Sequence, residues 1–187
     1  MATTLRAQEF SERFTELWER ETFRLELLDL YVAANEQEPF TRFQAGETQD
    51  LSWRGPWRHL VSSAVRAGKR MQRVHVITEP LSQYVEFELT CAYPTSVAAG
   101  EDIRIIPRTA ASGLDLPSHD FWLFDSRLVA RLNYDAHGNF LTVDLDEDVD
   151  VVQRHLRWRE VAIEHATTLQ TYLDSQGLNG LVAAGAA

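Results

Sequence analysis

Several features that would place a protein in a specialised class are missing from this chain of 187 residues. Cysteine occurs once, as Cys91, so no disulfide can form within the chain, and a reducing cytoplasm is the expected compartment. No apolar run approaches the roughly 18–20 residues that span a bilayer, so membrane association is not expected. The N-terminal stretch MATTLRAQEFSERF lacks the apolar core of a signal peptide, so export is not expected either.

Recognisable catalytic and cofactor motifs are also missing. The chain has no P-loop, no G-x-G-x-x-G and no G-x-S-x-G. Its six histidines form no H-E-x-x-H or H-x-H group. The acidic run DLDEDVD (144–150) starts like an EF-hand loop, but Val149 stands where that loop needs glycine and His155 where it needs glutamate. We therefore expect no metal ion and no cofactor.

Positive charge is scarce, and it is concentrated in one segment. The formal net charge is −10. An acidic body repels a phosphate backbone, so direct binding of nucleic acid is not expected. The exception is residues 51–78, which contain no acid. This segment can pair with the protein's own acids, or it can hold a phosphate or an acidic patch on a partner. Its six basic residues are Arg54, Arg58, Arg66, Lys69, Arg70 and Arg73.

Composition and periodicity predict one α/β (α+β) domain over residues 1–187. Hydrophobic residues make up 44% of the chain and charged residues 25%, as is typical of soluble globular proteins. We expect a mixed sheet of four to six strands covered by helices, with further helices at both ends. The predicted parts are an N-terminal helix (7–19), an α/β core (53–145), a C-terminal helix (147–173) and a flexible tail (174–187).

The core is predicted to alternate helices and strands. TFRLELLDLY (22–31) fits either a strand or a helix, and we favour a strand. LSQYVEFELTCAY (81–93) has a single apolar helical face and is predicted to stop at Pro94. AHG, ending in Gly138, predicts a hairpin. The other predicted elements are helices at 38–47 and 55–68, and strands at 71–80, 102–108, 120–125, 128–135 and 139–145.

The stretch DFWLFD (120–125) is predicted to be a central strand. Side chains alternate along a strand, so Phe121 and Leu123 face one way while Trp122 and Phe124 face the other. Large apolar residues on both sides indicate that both faces of the sheet are covered. Asp120 and Asp125 flank this strand, where they can carry function or simply accept backbone N–H bonds.

The order of elements over residues 53–145 resembles a half-unit of the phospholipase D type of phosphodiesterase. That superfamily's signature is H-x-K-x4-D, in which the histidine is the nucleophile and the lysine binds phosphate. Here His119 matches the histidine, but Phe121 stands at the lysine position and Ser126 at the aspartate position. Phosphoryl transfer needs positive charge at the developing anion, which Phe121 cannot supply. The resemblance therefore implies a degenerate, inactive copy.

Several motifs together resemble an actinobacterial family classed as a domain of unknown function. The resemblance covers about residues 10–173. It implies a bacterial protein that is often encoded beside helix-turn-helix regulators, with no established activity and no catalytic residues. The matching motifs are Phe23–Glu26 (FRLE), Gly68–Val76 (GK…RVHV), Pro80–Leu89 (PLSQY…FEL), Ala99–Arg104 (AGEDIR), Asp120–Asp125 (DFWLFD) and Tyr134–Gly138 (YDAHG).

Two functional hypotheses follow. The first is a non-enzymatic regulatory protein that binds a protein partner, a helix-turn-helix regulator, through its acidic surface. The alternative is a phosphodiesterase-like enzyme or small-molecule binder with a cleft at the strand ends near Asp120. A homodimeric scaffold is a third possibility. The candidate pocket residues are Arg73, His75, Tyr84, Glu88, Arg104, His119, Asp120 and Asp125.

Overall fold

A computed structural model describes residues 3–178, which form a single mixed sheet of eight strands covered by helices. The strand order is β1-β7-β6-β5-β2-β3-β4-β8. The strands are β1 (Thr3–Arg6), β2 (Glu21–Glu26), β3 (Arg70–Ile77), β4 (Asp102–Pro107), β5 (Phe121–Phe124), β6 (Leu128–Tyr134), β7 (Phe140–Asp146) and β8 (Thr167–Thr168). The helices are α1 (Ala7–Arg13), α2 (Gln37–Gln44), α3 (Gly55–Arg66), α4 (Gln83–Phe87), α5 (Tyr93–Ala99), α6 (Arg108–Ala111), α7 (Val149–His165) and α8 (Leu169–Gln176).

The predicted α/β class is confirmed, but the sheet is larger than the four to six strands expected. Parallel pairing joins β2, β3 and β4, and every other pairing is antiparallel. The two additional strands are the edge strands β1 and β8. Both are short and rich in threonine, so they lack the apolar alternation by which a strand is recognised in a sequence.

The central position predicted for DFWLFD is confirmed. Strand β5 lies between β2 and β6, and all four of its residues are buried. Phe121 and Leu123 pack in the cluster under α7, whereas Trp122 and Phe124 pack in the cluster under α1 and α3. Helices therefore cover both faces of the sheet at this strand.

Asp125 has a structural role at the turn after β5. Asp125 and Ser126 both have positive φ, at 50° and 57°, as a tight hairpin turn requires. The Asp125 carboxylate accepts hydrogen bonds from the backbone N–H groups of Glu19, Arg20 and Glu21, at 2.7–2.9 Å. These bonds fix the chain that enters β2 against the end of β5.

Two predicted helices have ends that differ from the structure, because the apolar pattern of a helix does not mark the residue at which the helix ends. The helix predicted to stop at Pro94 continues through a π-helical turn (Glu88–Ala92) into α5. Proline fits there because it lies in the first turn of α5, where its missing N–H is not needed. The C-terminal helix predicted to reach about Leu173 ends at His165. Ala166 is extended and leads through β8 into α8.

The N-terminal boundaries also need correction. The first helix was expected to reach residue 19, but α1 ends at Arg13 and a 3-10 turn (Phe14–Glu16) follows. The ambiguous segment 22–31 is a strand only as far as Glu26 and continues as a loop. The predicted tail at 174–187 begins inside α8, and residues 179–187 lie outside the described part of the chain.

Within residues 3–178, the helices are too short or too polar to cross a membrane.

The double-sided burial of β5 predicts a large loss of stability when its core is truncated. Phe124 is fully buried, so Phe124→Ala is expected to lower the free energy of unfolding by about 3–5 kcal/mol. Urea denaturation monitored by circular dichroism measures this change. Leu141→Ala is the control, because Leu141 is 50% exposed and its loss should cost less than about 0.5 kcal/mol. Equal effects of the two substitutions would contradict the buried position of β5.

Candidate ligand-binding cavity

A cavity of about 450 Å³ lies on the face of the sheet that α1 and α3 cover. Its floor is formed by side chains from β2, β3 and β5, and its walls come from helices and from the loop after β2. Both aromatic and charged groups line it. The rim includes Ser11, which is exposed, and Ala33, which is half-buried, so the cavity reaches solvent. Its volume falls in the range that small-molecule sites occupy.

The charged floor results from the register of two parallel strands. In β2, Arg24 and Glu26 are two residues apart and therefore share a face, while Phe23 and Leu25 face the opposite core. Strand β3 repeats this arrangement in register, with Arg73 beside Arg24 and His75 beside Glu26. The pairing thus collects four polar side chains on one face of an otherwise apolar sheet.

These side chains form a continuous network of buried ion pairs. The Arg24 guanidinium lies 3.3 Å from the Glu26 carboxylate and 3.1 Å from that of Asp120. The Arg73 guanidinium lies 2.8 Å from Glu26 and 2.9 Å from Glu101. The side chains of Arg24, Glu26, Asp120 and Glu101 are no more than 6% exposed. Pairing is what makes charge at this depth tolerable.

Tyrosine hydroxyls extend the network around the cavity. Tyr31 donates to Asp120 at 2.7 Å, and Tyr134 accepts from Arg24 at 2.8 Å. Tyr93 donates to Glu26 at 2.9 Å and lies 2.8 Å from Nδ1 of His75.

The other ring nitrogen of His75 decides what its Nδ1 can do. Nε2 of His75 lies 2.8 Å from the Leu28 carbonyl oxygen, which can only accept, so Nε2 carries a proton. Burial lowers the pKa of His75, which favours the neutral ring with an unprotonated Nδ1. The single hydroxyl proton of Tyr93 then faces two acceptors, His75 and Glu26. Hydrogen-bond acceptors therefore outnumber protons in this part of the site.

The loop over residues 27–36 closes one side of the cavity. The backbone N–H of Leu27 donates to Asp120 at 2.9 Å, and that of Val32 donates to the Gly138 carbonyl at 3.0 Å. Gly138 has a φ of +86°, and a Cβ there would lie 2.7 Å from the Leu30 carbonyl oxygen. Glycine at 138 therefore lets the loop rest directly on the β6–β7 hairpin.

Glu88 is the least satisfied charged group of the cavity. It lies on the π-helical turn, is 6% exposed, and its Oε2 atom has no hydrogen-bond partner among the described residues. The nearest cation-forming atom is Nδ1 of His75, 3.8 Å from Oε2. Burial, together with the nearby carboxyls of Glu26 and Glu36, raises the pKa of Glu88 well above its ordinary value. A buried carboxyl without a partner is costly unless something else binds it.

The other carboxyls respond differently to the same surroundings. Burial acts to raise the pKa of Glu26, but the guanidiniums of Arg73 and Arg24 outweigh it and hold that pKa below its ordinary value. At Asp120 burial prevails over Arg24 and over the hydrogen bond from Tyr31, so its pKa is raised. The pKa of Glu26 is therefore lowered, whereas those of its neighbours Asp120 and Glu88 are raised.

The structure brings together five of the eight candidate residues named from the sequence. Arg73, Tyr84 and Glu88 line the cavity. His75 and Asp120 lie directly behind the lining and are hydrogen-bonded to it.

The other three candidates lie elsewhere. Arg104 pairs with Asp102 at 3.1 Å, and Asp125 binds backbone at the far end of β5. His119 lies on the opposite face of the sheet, where its Nε2 is 3.3 Å from Nε2 of His155 and its ring packs against Trp158. Burial, with Arg131 and His155 nearby, lowers the pKa of His119 to about 4.

Much of the site was not identified from the sequence. The clearest signal is FRLE, where Arg24 and Glu26 alternate with apolar residues in a strand that is otherwise buried. Side chains of loops and helices carry no such signal, because only the folded chain brings them to the cavity. The missed residues are Arg24, Glu26, Tyr31, Glu36, Arg54, Trp57, Tyr93, Glu101, Trp122 and Tyr134.

The basic segment is largely paired internally. Arg73 is in the ion-pair network, and Arg54 lies 3.8 Å from Glu36. Arg70 pairs with Glu21. Lys69 lies over the ring of Trp18, 4.6 Å from its centroid. Only two of the six bases, Arg58 and Arg66, are exposed without an acidic or aromatic partner in the part of the chain that the structure describes.

No group of three or more histidine, cysteine, aspartate or glutamate side chains within residues 3–178 is placed to hold a metal ion.

The fold is similar to that of solved structures that include a phospholipase D family member. NucT from Helicobacter pylori is similar with a TM-score of 0.50 at 10% sequence identity, and the match covers 90% of this chain and 98% of that one. Nuc from Salmonella typhimurium, a phospholipase D family member, is similar with a TM-score of 0.51 at 9% identity, covering 90% and 97%. At this identity the similarity shows a shared fold only, and it carries no information about activity.

The chain belongs to the family described as domain of unknown function DUF6879, whose model matches residues 8–174. The resemblance seen in the sequence motifs is thereby confirmed. No curated protein sequence is significantly similar to this chain.

The unpartnered Glu88 carboxyl predicts a pH-dependent gain in stability on neutralisation. The folded-state pKa of Glu88 is raised, so its contribution to stability is present below its unfolded pKa and is lost as pH rises toward the folded pKa. Glu88→Gln should therefore raise the free energy of unfolding at pH 8, on the order of 1–3 kcal/mol, and change it little near pH 4.

Urea denaturation at several pH values measures this difference. Glu86→Gln is the matched control, since Glu86 lies two residues earlier, is only half-buried and does not line the cavity. A stabilisation by Glu88→Gln that is independent of pH, or one shared by Glu86→Gln, would contradict the raised pKa.

Proposed function

We propose that this protein binds a small organic molecule in the cavity between the sheet and α1 and α3. The observation that carries the proposal is Glu88, a residue that lines a cavity of about 450 Å³ and whose Oε2 atom is buried without a hydrogen-bond partner among the described residues. Folded proteins rarely leave such a group unsatisfied beside a space of this size. Water could fill the cavity, but its aromatic walls favour an apolar molecule with a few polar atoms.

The ion-pair network supports this function because it fixes the floor of the cavity. Arg24 and Arg73 each bridge two carboxylates, so neither guanidinium can rotate freely. Because the charged side chains of the floor are already ordered in the folded protein, they lose little conformational entropy when a ligand binds, which favours ligand affinity. The loop over residues 27–36 is likewise fixed before any ligand arrives.

Phosphodiester hydrolysis is the second candidate, favoured by the fold similarity to NucT and Nuc. The site lacks the chemistry that such a reaction uses. His119 lies on the other face of the sheet, and the guanidiniums near the cavity are neutralised by carboxylates. Stabilising a developing phosphorane charge needs cations that are free to face it.

Hydrolysis of bis(4-nitrophenyl) phosphate, with and without divalent metal ions, tests the second candidate directly. We expect release of 4-nitrophenol at the rate of the buffer alone. A rate that exceeds the buffer rate and falls at least tenfold on Asp120→Asn, but not on Asp115→Asn at an exposed position, would instead support an enzyme at this site.

Partner binding by the acidic surface, with a helix-turn-helix regulator, stays a prediction, as does a homodimer. Ligand binding is compatible with a regulatory role, because a molecule in the cavity would contact the loop over residues 27–36. Co-purification with a regulator encoded beside this gene tests the first, and light scattering tests the second.

Blocking the cavity entrance provides the decisive test of ligand binding. Ala33 is half-buried and lines the cavity, whereas its neighbour Ala34 is exposed and does not. A tryptophan at 33 would occupy the entrance without replacing a core side chain. A library of aromatic fragments is screened by ligand-observed NMR, and binders are titrated by calorimetry. We expect Ala33→Trp to weaken binding at least tenfold and Ala34→Trp to change it less than twofold.

Two results would contradict ligand binding in this cavity. One is a library without a single binder at millimolar concentration. The other is a set of binders whose affinities are the same for Ala33→Trp and Ala34→Trp.

A further inference from the structure

The basic and acidic side chains around the cavity are unequal in number. Three guanidiniums line it or support it, whereas five carboxyls do so. Glu26 and Asp120 share Arg24, Glu26 and Glu101 share Arg73, and Glu36 lies 3.8 Å from Arg54. Glu88 is left without a guanidinium within 4 Å in the described structure. The three guanidiniums are Arg24, Arg54 and Arg73, and the five carboxyls are Glu26, Glu36, Glu88, Glu101 and Asp120.

Near Glu88, hydrogen-bond acceptors also outnumber the donors that are free to bind them. The Tyr84 hydroxyl gives its proton to Glu36 at 2.7 Å, and the Tyr93 hydroxyl gives its proton to Glu26. Within residues 3–178, no side chain or backbone group donates to Oε2 of Glu88. The Glu88 carboxyl therefore keeps unused capacity to accept hydrogen bonds, and a ligand that reaches this side chain from the cavity can supply a donor.

The remaining guanidinium N–H groups do not reverse this preference. Arg24 and Arg73 keep N–H groups that bond to no described residue, but each charge is already balanced by two carboxylates. Such groups suit a neutral acceptor on a ligand, such as a carbonyl or hydroxyl oxygen. An anion would be placed beside an excess of carboxyl groups, which is unfavourable because each of them that ionises would repel it.

The walls fit an apolar body and tolerate positive charge. Trp57, Trp122 and Tyr134 line the cavity together with Phe14 and Phe140. Two of these rings already face internal cations. The Arg24 guanidinium is 5.4 Å from the Trp122 centroid, and that of Arg73 is 5.9 Å from the Trp57 centroid. Aromatic walls of this kind attract cations.

We propose that the cavity binds a small organic amine as a cation, whose nitrogen donates to Glu88 and whose apolar body packs against the aromatic walls. This inference rests on the ligand-binding function proposed above and names its substrate class. Glu36 supplies a second carboxyl near the nitrogen.

Proton release follows from this mode of binding. Burial and the neighbouring carboxyls raise the pKa of Glu88, so this carboxyl takes up a proton more readily than an exposed glutamate does. A cation beside Glu88 favours the carboxylate, so amine binding lowers the pKa of Glu88 and releases protons that this carboxyl holds in the empty cavity. Binding of a neutral molecule would release none.

Three matched probe series distinguish a cation from other ligands. Each series has a common aromatic body, benzyl, phenylethyl or indolylethyl, with a primary amine, an alcohol or a carboxylate as its end group. Affinity is measured by isothermal titration calorimetry at pH 7 in phosphate and in HEPES, which differ in ionisation enthalpy and contain no primary amine, so the difference between the two buffers reports the protons released. We expect at least one amine to bind at least tenfold more tightly than its matched alcohol and carboxylate, with a release of protons that the matched alcohol does not cause.

Substitution of Glu88 locates the nitrogen. Glu88→Gln should weaken amine binding at least tenfold, abolish proton release and leave the alcohol series within about twofold. Glu86→Gln should leave all three series unchanged. Chemical denaturation of each variant establishes that it is folded.

The outcomes distinguish a failure of the amine inference from a failure of the proposed ligand-binding function. Alcohols or carboxylates that bind as tightly as amines, with the Ala33→Trp sensitivity described above, would overturn the amine inference and keep the ligand site. Amine binding unaffected by Glu88→Gln would also overturn the inference. If no probe and no library fragment binds, the proposed function fails, and the inference fails with it.

Discussion

A chain of alternating charges crosses the middle of the sheet, and the rest of the structure depends on it. Glu101, Arg73, Glu26, Arg24 and Asp120 follow one another across the region where β4, β3, β2 and β5 lie side by side. Each inner member touches two partners of opposite sign. Removing one member would leave an uncompensated buried charge, which typically costs about 3–5 kcal/mol. The network therefore fixes how four strands present their side chains to the cavity.

Stability alone does not account for such a network. Well-packed apolar residues of similar volume can often replace a buried ion pair without loss of stability, because both charges must be stripped of water. In this protein the network lies under a cavity instead of being closed over by packing. Asp120 also binds the backbone of the covering loop through Leu27, so the same charges shape both the floor and one wall. The ligand-binding function that we propose would account for the placement of charge there.

The sequence predicts the scaffold well because the scaffold depends on local patterns. The apolar stripe of α3 and the double-sided apolar strand β5 are both found where periodicity places them. The site depends instead on pairings between distant segments. Arg24 and Asp120 are 96 positions apart in the chain, and only the parallel register of β2 and β3 brings Arg73 beside Arg24.

Some of the site could still be anticipated, and some could not. Charged residues at alternate positions of FRLE, inside a strand with apolar neighbours, indicate a polar patch on one face of a sheet. The alternation does not say which partners neutralise the charges. Likewise, the apolar face of residues 81–93 predicts a helix, but the π-helical turn that presents Glu88 depends on packing. Local patterns identified polar residues, and tertiary contacts gave them partners.

Alternation along β5 explains why the residues matched to the phospholipase D signature do not face this cavity, although the fold is similar to that of a phospholipase D family member. The position matched to the signature histidine is 119, and two residues later Phe121 occupies the lysine position, so both face α7. The cavity lies on the other face of the same strand, where Trp122 forms part of the lining and Asp120 binds Tyr31 and Arg24. Side chains one position apart along a strand point to opposite faces of the sheet. In this chain the cavity face of β5 therefore presents a carboxylate and an indole, whereas the histidine matched to the signature lies on the other face.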